Sequence, residues 1–484
     1  MSNYNPKSLH AEEFINHEEI LETIKYAEEN KHNVALIDSI LQKARPVKTA
    51  DGTQTHCAGL THREASVLLA CDIPEKIEEM YKLAEEIKEA FYGNRIVMFA
   101  PLYLSNYCVN GCVYCPYHQK NKHIKRVKLS QDDIRKEVIA LQDMGHKRLA
   151  IEAGEDPVNN PIEYILESIK TIYSIHHKNG DIRRVNVNIA ATTVENYRKL
   201  KDAGIGTYIL FQETYNKKSY LELHPTGPKH DYDYHTEAMD RAMDGGIDDV
   251  GLGVLFGLEG YQYEFAGLLM HAEHLEAVHG VGPHTISVPR VKHADDIDPD
   301  AFDNSLEDEI FEKIAACIRI AVPYTGMIIS TRESQKVREK MLHLGVSQIS
   351  GASRTSVGGY CEEERPHDSE QFDVSDQRTL DEVVNWLMKM GFIPSFCTAC
   401  YREGRTGDRF MSLCKNGQIL NCCHPNALMT LTEYLTDYAS EDTKKIGFKL
   451  IEDELNKIPK EKVREIARKN IEDIKNSNRR DFRF

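Results

Sequence analysis

The sequence predicts an α/β fold, a (β/α)8 barrel of the TIM type with an N-terminal helical layer and a C-terminal cysteine-rich, mostly helical segment. Three observations predict it. Short β-branched or apolar runs recur eight times between residues 95 and 352. Amphipathic segments separate them, with apolar residues three or four apart and several closed by a glycine suited to a left-handed helix cap. A chain of 484 residues also has room for one barrel of roughly 200–250 residues plus flanking elements.

The elements follow in order. Residues 1–94 carry helix-period segments, EEILETIKYAEENK, LTHREASVLL and IPEKIEEMYKLAEEIKEAFYG, and form the expected N-terminal layer. The eight expected strands are RIVMFAPLYLS, KRLAIEAG, RVNVNIA, TYILFQETY, DVGLGVLFG, HTISVPR, GMIISTR and VSQISGA. Helices are expected at DDIRKEVIALQDMG, PIEYILESIKTIYSIHHKNG, TVENYRKLKDAG, EFAGLLMHAEHLEAVHG and LEDEIFEKIAACIRIAVP. The barrel segment thus covers 95–360. In 361–484 the acidic stretch CEEERPHDSEQFDVSDQ reads as a linker, followed by the helix LDEVVNWLMKMG, a cysteine-rich region from 397 to 423 and a charged helical tail.

Composition narrows the function. The charge is −16, from 60 Lys and Arg against 76 Asp and Glu, and the basic stretches are short, so no nucleic-acid partner is expected. No apolar run approaches the length of a membrane span, and MSNYNPKSLHAEEF is polar from the outset, so a cytoplasmic protein without a membrane partner is expected. In that reducing compartment 12 cysteines point to metal ligation rather than disulfides. An exposed cluster would suit oxygen-poor conditions.

The most informative motif is CVNGCVYC, with Cys108, Cys112 and Cys115 at C-x3-C-x2-C just after the first strand. Three thiolates seat a four-iron cubane and leave one iron open to a small molecule; a three-cysteine zinc site is the alternative. A second set is Cys397 and Cys400 in CTAC with Cys423 in NCC, at C-x2-C-x22-C. It suits a second cluster, or a zinc knuckle that also uses Cys414 and takes Cys422 or Cys423. Cys57, Cys71 and Cys317 read as small buried hydrophobes.

With an aromatic, Tyr114, just before the last cysteine, the chain resembles the radical S-adenosylmethionine (SAM) enzymes. That resemblance implies that the open iron chelates SAM, and that reductive cleavage yields a 5′-deoxyadenosyl radical able to take hydrogen from a substrate. It places Gly154, Glu155 and Asp156 of EAGEDP at the cofactor's methionine end and Gly253 and Gly257 of GVLFG near its adenine, with Tyr114 in the same cofactor-binding set. Taken alone, an acidic turn is ordinary surface and paired glycines mark close packing.

QETY, GPHTISVPR, STRES, SVGGY and the C-terminal cysteine spacing further resemble the tyrosine lyases that mature FeFe-hydrogenase, over nearly the whole chain. What this implies is cleavage of L-tyrosine at Cα–Cβ to p-cresol and dehydroglycine, and conversion of the latter to carbon monoxide and cyanide on iron. It implies two 4Fe-4S clusters, the C-terminal one with an additional iron, free cysteine as a bridge, a ferredoxin or flavodoxin reductant and hydrogenase maturation proteins as partners. Arg332 is the expected grip on the tyrosine carboxylate, with Ser350 or Ser353 assisting, and Tyr103, Tyr107 or Gln212 are candidates for the phenol. A histidine near the barrel mouth is expected on the extra iron, His284 first and His293 second. The alternatives are the thiazole-synthesis tyrosine lyase, which lacks the cysteine tail, and a non-catalytic iron-sulfur scaffold.

Overall fold

The computed structural model describes residues 3–50, 55–302, 304–361, 370–415 and 419–484; the acidic part of the expected linker, 362–369, lies outside them. The eight runs form strands β1 (Arg95–Ser105), β2 (Arg148–Ala153), β3 (Arg184–Asn188), β4 (Tyr208–Ile209), β5 (Val250–Gly253), β6 (Thr285–Ser287), β7 (Gly326–Ile329) and β8 (Gln348–Ser350). Each pairs in parallel with the next, and β8 pairs with β1 through Gln348–Val97 and Ile349–Met98, which closes the barrel. A ninth strand, β9 (Ile393–Ser395), adds in parallel to the start of β1 opposite Arg95, Ile96 and Val97. The expected boundary at 360 is therefore bridged by sheet pairing. β1 owes its 11 residues to three partners, β9 first, β8 in the middle and β2 from Ala100 onward.

Helices surround the barrel: α1 (Gln131–Met144) and α2 (Ile162–Tyr173) are amphipathic, whereas α3 (Tyr261–His279), expected to be so, is buried on nearly every face from Tyr263 to Leu275. The turn after α1 shows why a glycine ends it: Gly145 takes φ 100°, and its N–H reaches the Gln142 and Leu141 carbonyls. The helix expected to run to residue 180 instead stops at Tyr173, and His176–His177 and Gly180–Asp181 form a small hairpin. The hairpin turn contains Asn179-Gly180, with Lys178 at φ 53°, so turn chemistry outweighs the apolar period there. Between β4 and β5 the chain forms three short helices, Lys217–Leu223, Tyr232–Thr236 and Ala238–Asp244, where no helical period is legible.

The N-terminal layer docks through buried ion pairs as well as apolar faces. Thr61 and Glu64 form a capping box that starts the helix His62–Ala70. His62 then sits between Glu273 Oε2 of α3, 2.8 Å from Nδ1, and Glu19 Oε1, 3.1 Å from Nε2. At the other end of the chain, the helix Leu420–Asp437 carries Cys422 and Cys423 beneath the barrel. Its Glu433 meets Arg183 at 2.8 Å. No helix among the described residues is long and apolar enough to cross a membrane.

Candidate active site and metal centres

Cys108, Cys112 and Cys115 lie on the loop that leaves β1 at the carboxyl end of the barrel, on the wall of a cleft of about 1000 Å³. The loop is held from several sides. Asn106 Oδ1 accepts from Val127 N–H at 2.7 Å, and the Arg126 guanidinium donates to the Asn106, Tyr117 and His118 carbonyls. The Gly111 and Val113 N–H groups bond the Thr226 and Leu223 carbonyls. At the end of β2, a Cβ on Gly154 would stand 2.3 Å from the Tyr107 carbonyl oxygen and 3.0 Å from Cys108 Cβ, so only glycine lets that strand end abut the cysteine loop.

The donor set fits a thiolate-held cluster. Asn110 Nδ2 lies 3.7 Å from Cys108 Sγ, an amide aimed at a sulfur. Burial pushes the Cys115 thiol up to about 12 and raises Cys108 and Cys112 as well. Raised in this way the groups are thiols, and to serve as thiolate ligands they would need a metal's positive charge beside them. Glu155 faces the same cleft, tied by Asn110 Nδ2 at 2.7 Å, with burial raising its carboxyl. Tyr114 lines the cleft and its hydroxyl bonds His224 Nε2 at 2.7 Å.

Three of the expected cofactor residues are placed elsewhere. Asp156 turns away to accept from the Val158 and Asn159 N–H groups and from Asn159 Nδ2, a turn-forming role. Gly253 and Gly257 are outside the cleft. A Cβ on Gly253 would meet the Phe211 ring at 2.4 Å, and Gly257 takes φ 107° in the turn after β5. Leu255, between them, lines the cleft.

Below lies a second cavity of about 690 Å³ inside the barrel, sharing Tyr103, Glu152, Asn188, Phe211, Arg332 and Gln371 with the cleft. Ser350 and Ser353 line it, and Ser353 Oγ is buried without a hydrogen-bond partner among the described residues. The Arg332 guanidinium stacks on Phe372, 3.7 Å from the ring centroid, and has no carboxylate partner among the described residues. Of the phenol candidates, Tyr103 lines both cavities, while Gln212 Nε2 is turned away to Thr236 Oγ1 at 2.8 Å.

Sequence reasoning missed several groups in the cleft. Lys229 and Glu213 form a pair at 2.8 Å, with Glu213 in the left-handed region at φ 68°, a conformation costly for a residue with a side chain. Glu152 and Asn188 also escaped notice. QETY flagged Glu213 only as part of a motif; Glu152 had no signal beyond a charge within an apolar strand.

A third cavity of about 670 Å³ lies at the opposite, amino-terminal end of the barrel, lined by Cys397, Cys400, Cys423, Arg95, Arg148 and His284 among others. Cys397 follows β9, Arg95 opens β1, and the helix from Leu420 delivers Cys423. Cys400 Sγ and Cys423 Sγ are 4.0 Å apart, and the Ala399 N–H lies 3.4 Å from Cys397 Sγ. The Cys423 thiol is lowered by its contact with Cys400 and by the Arg95 and Arg405 guanidiniums, against its burial. This donor set also fits a cluster. Cys414 packs with Phe410, Met411 and Ile419. Among the described residues no three His, Cys, Asp or Glu side chains converge on a single-ion position.

His284 belongs to this lower site, not to the barrel mouth where it was expected. It immediately precedes β6, and in a parallel barrel every strand start opens on the floor. Its Nδ1 is 3.3 Å from Asp249 Oδ1 and its Nε2 is 3.4 Å from the Tyr401 hydroxyl. Burial lowers its pKa, against the pull of Asp249, which favours the neutral imidazole, the form that binds metal. Asp249 is near enough to attract the ring, but Nδ1 is buried and makes no hydrogen bond among the described residues. His293 is exposed and pairs with Asp373 at 2.8 Å.

Inward residues two apart on one strand link the three levels. β2 presents Arg148, Ala150 and Glu152 to the lower, middle and upper cavities, and β8 presents Gln348 and Ser350 to the lower and middle ones. Barrel interiors are ordinarily filled by branched side chains; here Ala150, Ser287 and Ser350 leave the middle level open.

Residues 102–271 match the radical SAM superfamily, and 287–393 match the biotin and thiamin synthesis associated domain. The chain is 53% identical to HydG, a maturase of the [FeFe]-hydrogenase, with a TM-score of 0.90 over 97% of this chain and 100% of that one. It is 38% identical to the FeFe-hydrogenase maturase HydG of Carboxydothermus hydrogenoformans, with a TM-score of 0.80 over 95% of this chain and 99% of that one. It is also 28% identical to the 2-iminoacetate synthase of Salmonella typhimurium over 70% of this chain and 87% of that protein. With a cysteine loop at the barrel mouth fit to hold the superfamily's 4Fe-4S cluster beside SAM, and with these likenesses over nearly its whole length, the chain belongs to the HydG family and is a radical SAM tyrosine lyase.

Proposed function

We propose that the chain cleaves L-tyrosine at Cα–Cβ in the upper site and converts the dehydroglycine released, at the lower site, to carbon monoxide and cyanide collected on iron for assembly of an FeFe-hydrogenase active site. The observation that carries this reading is the stacking of two cysteine-lined cavities at opposite ends of one barrel, with a third cavity between them. A lyase that stops at dehydroglycine has no use for the lower site.

When bound, the upper cluster and SAM supply the hydrogen-abstracting radical. The protein's part is to hold and enclose the substrate. Arg332 receives the tyrosine carboxylate bidentately, with Ser353 donating its unpartnered hydroxyl and Ser350 beside it. Glu155 and the open backbone at Gly154 face the methionine end of SAM, and Tyr114 closes the loop side. In the lower site Cys397, Cys400 and Cys423 hold a second cluster, and His284 binds the additional iron, which arrives as cargo together with free cysteine. Residues 95–360 then house the lyase site, while 361–484 supply the thiolates of the second. An external reductant of the ferredoxin or flavodoxin class and the other hydrogenase maturation proteins are the partners this chemistry requires.

The test is a Cys397→Ala, Cys400→Ala variant assayed without oxygen for both products. Iron should fall from about eight atoms per chain to about four, p-cresol should persist, and the haem-carbonyl band of trapped carbon monoxide should vanish. Equal loss of both products would reduce the tail to a structural role. The likeness to 2-iminoacetate synthase favours one rival, a lyase that releases dehydroglycine as its end product; wild-type protein that makes p-cresol but no carbon monoxide would establish it.

A further inference from the structure

Three carboxylates line the upper cleft. Glu213 is held by Lys229 Nζ at 2.8 Å, and Glu155 by Asn110 Nδ2 at 2.7 Å. Glu152 has the Asn188 amide and, among the described residues, no cation in ion-pair contact. It projects from β2 into the barrel at the level where the upper and middle cavities meet, and Arg332 lines that same junction from the β7 side. Arg332 likewise lacks an ionic partner among the described residues. A carboxyl and a guanidinium that make no ion-pair contact with each other thus share one level of a largely enclosed space. Each is costly to desolvate alone. A ligand carrying an anion and a cation on neighbouring atoms would satisfy both, and an α-amino acid is such a ligand.

We propose that Glu152 receives the α-amino group of the substrate while Arg332 receives its carboxylate, so that the two side chains form a clamp for the amino-acid zwitterion. This rests on the tyrosine-lyase reading and adds to it the residue that handles the nitrogen. The clamp also moves a proton. As the ammonium N–H breaks, the Glu152 carboxylate O–H forms; no electron is transferred, and the substrate is left as the neutral amine from which a hydrogen atom can be taken. The proton passes back when the product leaves. Burial pushes the Glu152 carboxyl up to about 8, against the pull of Arg332, so its affinity for a proton is close to that of an amine.

The test is equilibrium binding to the anaerobically reconstituted holoenzyme with SAM, using tyrosine, phenylalanine and 3-(4-hydroxyphenyl)propionate, which lacks the amine. In Glu152→Gln, which keeps shape and the contact with Asn188, tyrosine and phenylalanine should both bind about tenfold more weakly or worse, while the desamino analogue binds as to wild type. Arg332→Met should weaken all three. Glu152→Asp should keep a preference for tyrosine over the desamino analogue, and cluster content and melting temperature show whether each variant is folded. Equal weakening of tyrosine and the desamino analogue, or no weakening of tyrosine, would overturn the clamp. Loss confined to tyrosine, with phenylalanine untouched, would place Glu152 at the phenol and overturn it too. If wild-type holoenzyme bound no tyrosine, the substrate reading itself would fall.

Discussion

Replacing Arg332 by methionine should impair function severely while leaving the empty protein at least as stable. The guanidinium is largely enclosed, stacked on Phe372, and without a carboxylate partner among the described residues. Exchanging such an unpaired charge for an apolar side chain of similar length is ordinarily neutral or stabilising. Removing the partner of a desolvated substrate carboxylate costs about 2–5 kcal/mol, which corresponds to a fall in kcat/KM for p-cresol formation of about 30- to 5000-fold. For 484 residues the unfolding entropy makes one degree of melting temperature worth about 1 kcal/mol. Tyrosine at about a hundred times its Kd adds about 2.7 kcal/mol, a rise of about 3 °C in the wild type. Thermal melts of holoenzyme with and without tyrosine should therefore show that rise in the wild type and none in Arg332→Met, whose own melting temperature is unchanged or higher. A variant that melts several degrees lower, or still responds to tyrosine, would mean that Arg332 chiefly buttresses the Phe372 segment.

Gly154→Ala should drive the Tyr107 carbonyl out of place, because the new Cβ would lie 2.3 Å from it; chemical analysis should find about four irons lost and the lower cluster intact. Ala150→Leu should narrow the middle cavity between the two sites, so the ratio of carbon monoxide to p-cresol falls while p-cresol stays near wild type; an unchanged ratio would mean that dehydroglycine does not pass through the barrel. His62, although burial opposes its charged form, has its pKa raised by hydrogen bonds to Glu273 and Glu19. Its contribution is present below about 6.5 and is lost as the pH rises through the higher folded-state value. Protection factors in the His17–Asn30 helix, with the intrinsic pH dependence of exchange divided out, should accordingly fall as the pH rises above about 6.5, and the fall should vanish in His62→Gln.

The barrel was legible because its strands are short β-branched or apolar runs separated by segments of helical period. The cysteine sets were legible because thiolate spacing is a property of the chain itself. What escaped depended on closure of the sheet. Period two tells that Arg148, Ala150 and Glu152 share a face, but only a closed barrel makes that face an interior lined at three depths. His284 was assigned to the wrong end because its motif continues into a strand whose far end is the mouth. Asp156, Gly253 and Gly257 satisfied motif positions, yet local demands use them: an aspartate turn, the Phe211 ring and a positive φ. The pair of Lys229 and Glu213 joins residues 16 apart across the short helix Lys217–Leu223 and the turn after it, for which sequence periodicity has no signal.

The ninth strand has a consequence for the chain's behaviour in solution. β9 covers the backbone of Arg95, Ile96 and Val97 at the start of β1. A chain cut before Ile393 would uncover the side of β1 around Ile96, although the Val97 N–H stays paired with the Ser347 carbonyl on the β8 side, and such an uncovered apolar edge is the kind of surface that recruits a strand from another molecule. The cysteine tail is then a seal on the sheet as well as a source of ligands, and attempts to isolate the barrel without it should be met by self-association before any question of catalysis arises.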